Sequence, residues 1–109
     1  MTKQELINRL LALPAVINSA EEAVLDAHSE VIAAKDELQL KEDALILGNA
    51  VEGKNAETRA AHMRSMTVLE RQALAEAELG LKQSAARLER FKVEFKALRA
   101  VALLLQVNV

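Results

Sequence analysis

Residues 48 to 55 read GNAVEGKN: Gly48, four residues, then Gly53, Lys54 and Asn55. That spacing belongs to a phosphate-binding loop, whose backbone N–H groups cradle phosphates while the lysine reaches the outer ones and a final Ser or Thr hydroxyl binds magnesium. Here the final residue is Asn55, which has no hydroxyl. Other chemistry-bearing residues are sparse. His28 and His62 are the two histidines, and neither has a second histidine one helical turn away to complete a metal site. Both sit beside polar residues and are expected on solvated helix positions. The paired carboxylates Glu21-Glu22, Asp36-Glu37 and Glu42-Asp43 fall on a continuous polar face, whereas a general acid and base need a cleft and shifted pKa values. With no Cys there is no thiolate ligand, thiol nucleophile or disulfide. No catalytic residue, metal or cofactor is expected.

One cluster can engage an anionic polymer. Arg87, Arg90, Lys92, Lys96 and Arg99 are opposed locally by Glu89 and Glu94 alone, and with Lys54 and Arg59 near the glycines they can make salt-sensitive phosphate contacts. Phe91 and Phe95, interleaved with them, fall on the apolar seam described next, which leaves no aromatic for base stacking. The favoured reading is therefore cations lying over a helical bundle and pairing with an acidic first helix.

The elements that must position these residues are helices. Stepping by seven from Leu10 gives Ile17, Val24, Val31, Leu38 and Leu45, and the companion row three residues on is Leu13, Ala20, Ala27, Ala34 and Lys41. A second pair of rows runs Ala60, Thr67, Leu74, Leu81, Leu88, Phe95, Ala102 and Met63, Glu70, Ala77, Ser84, Phe91, Leu98, Leu105. Small residues in the middle of both imply close helix approach, with the two Phe reaching the region of Leu10 to Ile17. Thr2 with Glu5, Ser19 with Glu22 and Thr67 with Glu70 have capping-box spacing. Pro14 predicts a break or a kink. The expected elements are a short helix at about residues 2 to 12, a long one at 15 to 47, a turn at 48 to 55, and a long helix at 56 to 105 kinked near Ser65 to Thr67. In that setting GNAVEGKN is a turn: Gly48 and Asn49 suit a helix C-cap, Gly53 a positive φ, and Asn55 an N-cap.

The predicted fold is all-α: an antiparallel, coiled-coil-like helical hairpin with a short N-terminal helix, forming one domain over residues 1 to 109 and assembled into a homodimeric bundle. At 109 residues a single core is hard to complete alone, and a 2% aromatic composition rich in Ala, Leu, Glu, Lys and Arg belongs to long helices. Leu11, Leu25, Ile32 and Ile46 lie about 100° from the first seam, and Leu79, Ala86, Val93, Ala100 and Val107 lie nearly opposite the second. A helix apolar on two sides expects a second neighbour. Ile17, Val24, Ala27, Val31, Ala34, Leu38, Leu74, Ala77, Leu81, Leu88, Phe91 and Phe95 are the expected self-association seam.

Residues 1 to 52 hold 4 basic and 10 acidic side chains, a net of −6, and residues 53 to 109 hold 10 and 6, a net of +4. The two halves should attract when laid side by side. The N-terminus lacks the pattern of a signal peptide, and the longest apolar run, Ala100 to Leu105, falls far short of the roughly 20 residues of a membrane span. A soluble, cytoplasmic location without membrane contact is expected.

The run EGKNAETRAAHM, preceded by LLALPAVINSAEEAV and followed by RLERFKVEFKALRAVALLL, resembles small helical coiled-coil proteins of phages and prophages that carry a Gly-Lys-Asn-Ala-Glu-x-Arg turn. The resemblance implies phage origin, host bacterial cytoplasm and a place near replication or recombination genes; it implies no established activity or binding residue. The expected function is a non-enzymatic, self-associating helical interaction module, a homodimer that acts on a phage or host protein in DNA metabolism or host takeover. The alternative is a nucleic-acid-binding accessory factor that uses the basic stripe of the last helix.

Overall fold

A computed structural model describes residues 1 to 107, which form three helices: α1 (Lys3–Leu47), α2 (Ala56–Met66) and α3 (Val68–Val107). No strand occurs among the described residues, and α1 and α3 pack against each other as a hairpin. The chain divides into two compact units, one of Met1–Asp26 with Lys82–Val109, the other of Ala27–Leu81.

In the first unit Leu6, Leu13 and Ala20 are buried on α1, with Leu10, Ile17 and Val24 half-buried beside them. On α3 the half-buried line is Ser84, Leu88, Phe91, Phe95, Leu98 and Ala102. These are the two heptad rows of each helix. A carboxylate–guanidinium pair locks the register: Arg9 donates from Nε to Glu94 Oε2 at 2.7 Å and from Nη2 to Oε1 at 2.9 Å. Phe95 thus sits level with the start of α1, as the alternation of large and small residues requires.

In the second unit Ala27 and Val31 are buried, with Ala34, Leu38 and Leu45 half-buried along α1 and Leu74, Ala77 and Leu81 along α3. Thr67 separates α2 from α3 and is fully buried. Its N–H bonds weakly to Arg64 O at 3.3 Å, its hydroxyl donates to Met63 O at 2.8 Å, and the same oxygen accepts from Arg71 Nε at 2.9 Å. Arg71 Nη2 then reaches Glu42 Oε1 at 3.2 Å. A buried hydroxyl with a donor and an acceptor incurs no unpaired-polar cost.

Three expectations change. The short helix at residues 2 to 12 is not separate, because α1 runs unbroken through Pro14. Pro14 is exposed, so the Leu10 carbonyl it deprives of a partner lies on a wettable side, while buried Leu13 and half-buried Ile17 hold the helix on either flank. Ser19 and Glu22 consequently lie inside α1, with no terminus to cap. The break at Thr67 occurs where the kink was expected, but by back-bonding to Met63 rather than by a box with Glu70, the Thr67 oxygen accepting from Arg71 instead. At the first terminus Thr2 does cap, accepting from Glu5 N–H at 3.1 Å.

Two substitutions test this account of α1 and α3. Pro14→Ala restores an amide donor inside a helix and should raise stability by up to about 3 kcal/mol. A Cβ at Gly80 meets nothing within 4 Å, so Gly80→Ala should add about 1 kcal/mol. Urea denaturation at fixed protein concentration reads both, and a loss of stability for either would refute the helical packing described.

Candidate functional site

The turn is the most specific segment of the sequence, and its amides decide what it can hold. Asn49, at φ 54°, ends α1. Ala50 N–H bonds to Leu45 O at 3.0 Å and Asn49 N–H to Ile46 O at 3.1 Å, the paired bonds of a Schellman motif with Asn in the usual glycine position. Glu52 N–H donates to His62 Nδ1 at 2.8 Å, and Asn55 N–H to Thr58 Oγ1 at 3.1 Å. Asn55 Oδ1 accepts from Thr58 N–H at 2.9 Å, which closes a capping box. Four loop amides that a phosphate would need are therefore spent inside the protein. A helix, not a strand, leads into the loop, and Lys54 is exposed.

Gly53 adopts φ 151°, and a Cβ there would come within 2.6 Å of both Arg59 N and Thr58 Oγ1. Glycine is thus demanded twice over, by conformation and by close approach to the first turn of α2. Gly48 carries no such conformational demand. Gly48, Gly53, Lys54 and Asn55 are the stop, the bend, the exposed tip and the restart. His62 departs from the expected solvated position: it is half-buried and anchors the loop, its Nδ1 accepting from the Glu52 N–H. Its ten-residue separation from Glu52 gave no periodic signal.

The expected seam residues are found on the inner sides of the hairpin. Ile17, Val24, Leu88, Phe91 and Phe95 lie in the first unit, and Ala27, Val31, Ala34, Leu38, Leu74, Ala77 and Leu81 in the second; all are buried or half-buried within one chain. The second apolar rows are outside: Leu11 is 76%, Ile32 54%, Ile46 58%, Leu79 55% and Val93 56% exposed. Leu25, Ala86 and Ala100 are exposed as well, and the Val107 side chain lies outside the described residues.

The basic cluster is not one stripe. At about 100° per residue, Lys92, Lys96 and Arg99 share one flank of α3, whereas Arg87 and Arg90 stand on the other with Glu94. All five are exposed, and none forms an ion pair among the described residues. Arg87 lies 5.5 Å from the Phe91 ring centroid and Arg99 5.7 Å from that of Phe95, so two cations cover the aromatic rings. The expected pairing of this cluster with the acidic first helix does not form; its members are held by the rings one turn away or extend into solvent. Glu94, which pairs with Arg9, reverses the expected polarity, and Glu42 with Arg71 follows it.

Grooves are shallow and apolar. One of ≈ 460 Å³ is lined by Leu6, Ile7, Leu10, Ala102 and Leu105 with Lys3 and Gln106, and another of ≈ 450 Å³ by Ile46, Val51, Ala60 and Met63 with Asn49 and Arg59. Neither contains paired carboxylates or a histidine. No group of three or more His, Cys, Asp or Glu able to hold a metal occurs among the described residues, and no described helix is long and apolar enough to cross a membrane. No family model, curated protein or solved structure matches the chain.

The Glu94 carboxyl is held below its ordinary pKa, first by the hydrogen bond from Arg9 and then by that residue's charge, with partial desolvation opposing. A depressed carboxylate pKa stabilises the fold above the unfolded-state value, and this contribution is lost as pH falls through the folded-state value. Acid titration of the unfolding free energy should therefore show a downward step at and below the ordinary glutamate range, and Glu94→Gln should flatten it. At the turn, Gly53→Ala should cost about 1–3 kcal/mol, whereas Lys54→Ala should change stability by less than about 0.5 kcal/mol. A damaging Lys54→Ala with a tolerated Gly53→Ala, read by thermal melting, would overturn this account of the loop.

Proposed function

We propose that the chain is a non-enzymatic, self-associating helical module that works by protein–protein interaction. The observation that carries the proposal is surface area. The chain exposes 8084 Å², whereas a globular monomer of its 11.9 kDa mass exposes about 6,000 Å². The difference, about 2,000 Å² on one chain, exceeds the roughly 800 Å² that each partner of a standard interface buries. Buried hydrophobic side chains among the described residues number five, Leu6, Leu13, Ala20, Ala27 and Val31, while both long helices carry large apolar residues on their outer sides. Apolar residues in such rows favour a further helical neighbour.

The likeness of EGKNAETRAAHM to the turn of phage and prophage helical proteins supports a phage accessory role in the host bacterial cytoplasm, acting on a phage or host protein in DNA metabolism or host takeover. Lys92, Lys96 and Arg99, exposed on one flank without ion-pair partners, favour a second reading as a nucleic-acid-binding factor. That reading is the weaker, because Phe91 and Phe95 are half-buried beneath cations and the five basic residues divide between two flanks.

Light scattering at micromolar concentration should return at least a dimer, and a monomer would refute the proposal. Ile32→Glu and Ile46→Glu should shift the mass towards monomer while helical content by circular dichroism stays unchanged. Binding to single-stranded and duplex DNA at two salt concentrations checks the second reading, which requires salt-sensitive affinity that disappears in Lys92→Ala/Lys96→Ala/Arg99→Ala.

A further inference from the structure

The two compact units carry opposite charge. Met1–Asp26 with Lys82–Val109 holds 8 basic and 6 acidic side chains, a net of +2, and Ala27–Leu81 holds 6 and 10, a net of −4. Within each unit an ion pair shows which flanks of α1 and α3 look the same way. In the first, Arg9 and Glu94 mark one face. By helical geometry Ile7 lies across the core line from Arg9, and Leu103, Lys92, Lys96 and Arg99 lie across it from Glu94. These five share the opposite face with Glu89, Ile7 being 40% and Leu103 60% exposed and the three cations free of ion pairs among the described residues.

In the second unit Glu42 and Arg71 mark a face that also carries Ile32, Lys35, Asp43 and Ile46 of α1 and Glu78 of α3. Ile32 and Ile46 are more than half exposed. Asp43 accepts one hydrogen bond, from Gln39 at 2.8 Å, and neither Asp43 nor Glu78 has an ion-pair partner among the described residues. Each unit thus presents exposed aliphatic side chains beside charge that is net basic in the first, where three cations outnumber Glu89, and net acidic in the second, where three carboxylates outnumber Lys35 and Arg71.

We infer that two copies associate antiparallel, the basic face of each first unit lying on the acidic face of the partner's second unit. This rests on the self-association proposed above and specifies its orientation. A second copy is the occupant that satisfies both faces at once, because a two-fold axis makes each contact twice from one sequence. A parallel pair would set cations on cations and carboxylates on carboxylates. A polyanion would satisfy the basic face and leave the acidic one uncovered. The surplus surface of about 2,000 Å² exceeds the roughly 800 Å² that each partner of a standard interface buries.

The absence of cysteine makes orientation measurable in the full chain. A spin label on Lys54→Cys, at the exposed turn, reports the distance between the two turns of a dimer by pulsed electron paramagnetic resonance. An antiparallel pair separates them by more than about 50 Å, since α1 alone spans 45 residues at about 1.5 Å each. Labels closer than about 30 Å in an intact dimer would overturn the orientation and leave self-association standing, whereas a monomer by light scattering would remove both. Charge reversal tests the faces themselves. Lys92→Glu/Lys96→Glu/Arg99→Glu and Asp43→Lys/Glu78→Lys should each weaken dimerisation at least tenfold, and mixing the two variants should restore it. Undiminished dimerisation of both variants, or no recovery on mixing, would overturn the assigned faces.

Discussion

Two helices lying side by side share a single line of contact, and along the middle of α1 that line passes through Ala20 and Ala27, each 7% exposed. A methyl group there lets a neighbouring backbone approach closely, but it removes little apolar area from water, so close packing is obtained at the expense of hydrophobic stabilisation. The larger buried residues, Leu6, Leu13 and Val31, supply what alanine cannot. The rest of each helix's circumference remains outside. The aliphatic side chains on those outer arcs follow from a seam too narrow to bury them.

Charge is distributed in a way that the narrow seam makes possible. Close helices bring the flanking positions within reach of one another, and both ion pairs occupy such positions. Arg9 and Glu94 are each about one-third exposed, where solvent and salt weaken a pair, but the two parallel hydrogen bonds fix geometry as well as charge. Glu42 and Arg71 do a second task, because Arg71 also satisfies the Thr67 hydroxyl and so ties the α2–α3 break to α1. The remaining cations of α3 have no such partner within reach and lie over Phe rings or in solvent.

Much of this architecture was legible in the residues, because the signals that betray it are periodic. The heptad rows foretold every buried hydrophobic position except Leu6, which extends the Leu13 row by one heptad towards the N-terminus. Gly53 and Asn55 foretold the turn through conformational demands that few residues meet. Pro14 misled, since the penalty for a lost amide is local while the packing that overrides it comes from Leu13 and Ile17 together. His62 and Thr58 were missed because their partners are backbone amides in a loop, whose positions no repeat encodes. The basic cluster looked continuous in sequence, but residues spaced by two or five, as Lys92 is from Arg90 and Arg87, fall on different sides of a helix. Its division is a matter of angle rather than composition.

The two ion pairs also differ in how much chain each encloses. Glu42 and Arg71 are 29 residues apart, Arg9 and Glu94 85. Closing the longer loop from an open chain costs about 1 kcal/mol more in entropy than closing the shorter one, but once the turn has formed each further contact adds only a few residues. The Schellman stop, the Asn55 box and the Thr67 network are all local. They make the turn the natural place for folding to begin and the zipping of α1 along α3 the natural way for it to proceed, with the ends of the chain joining last. A ribosome releases α1 before α3, so the acidic half must wait for the basic one to emerge before the hairpin can close.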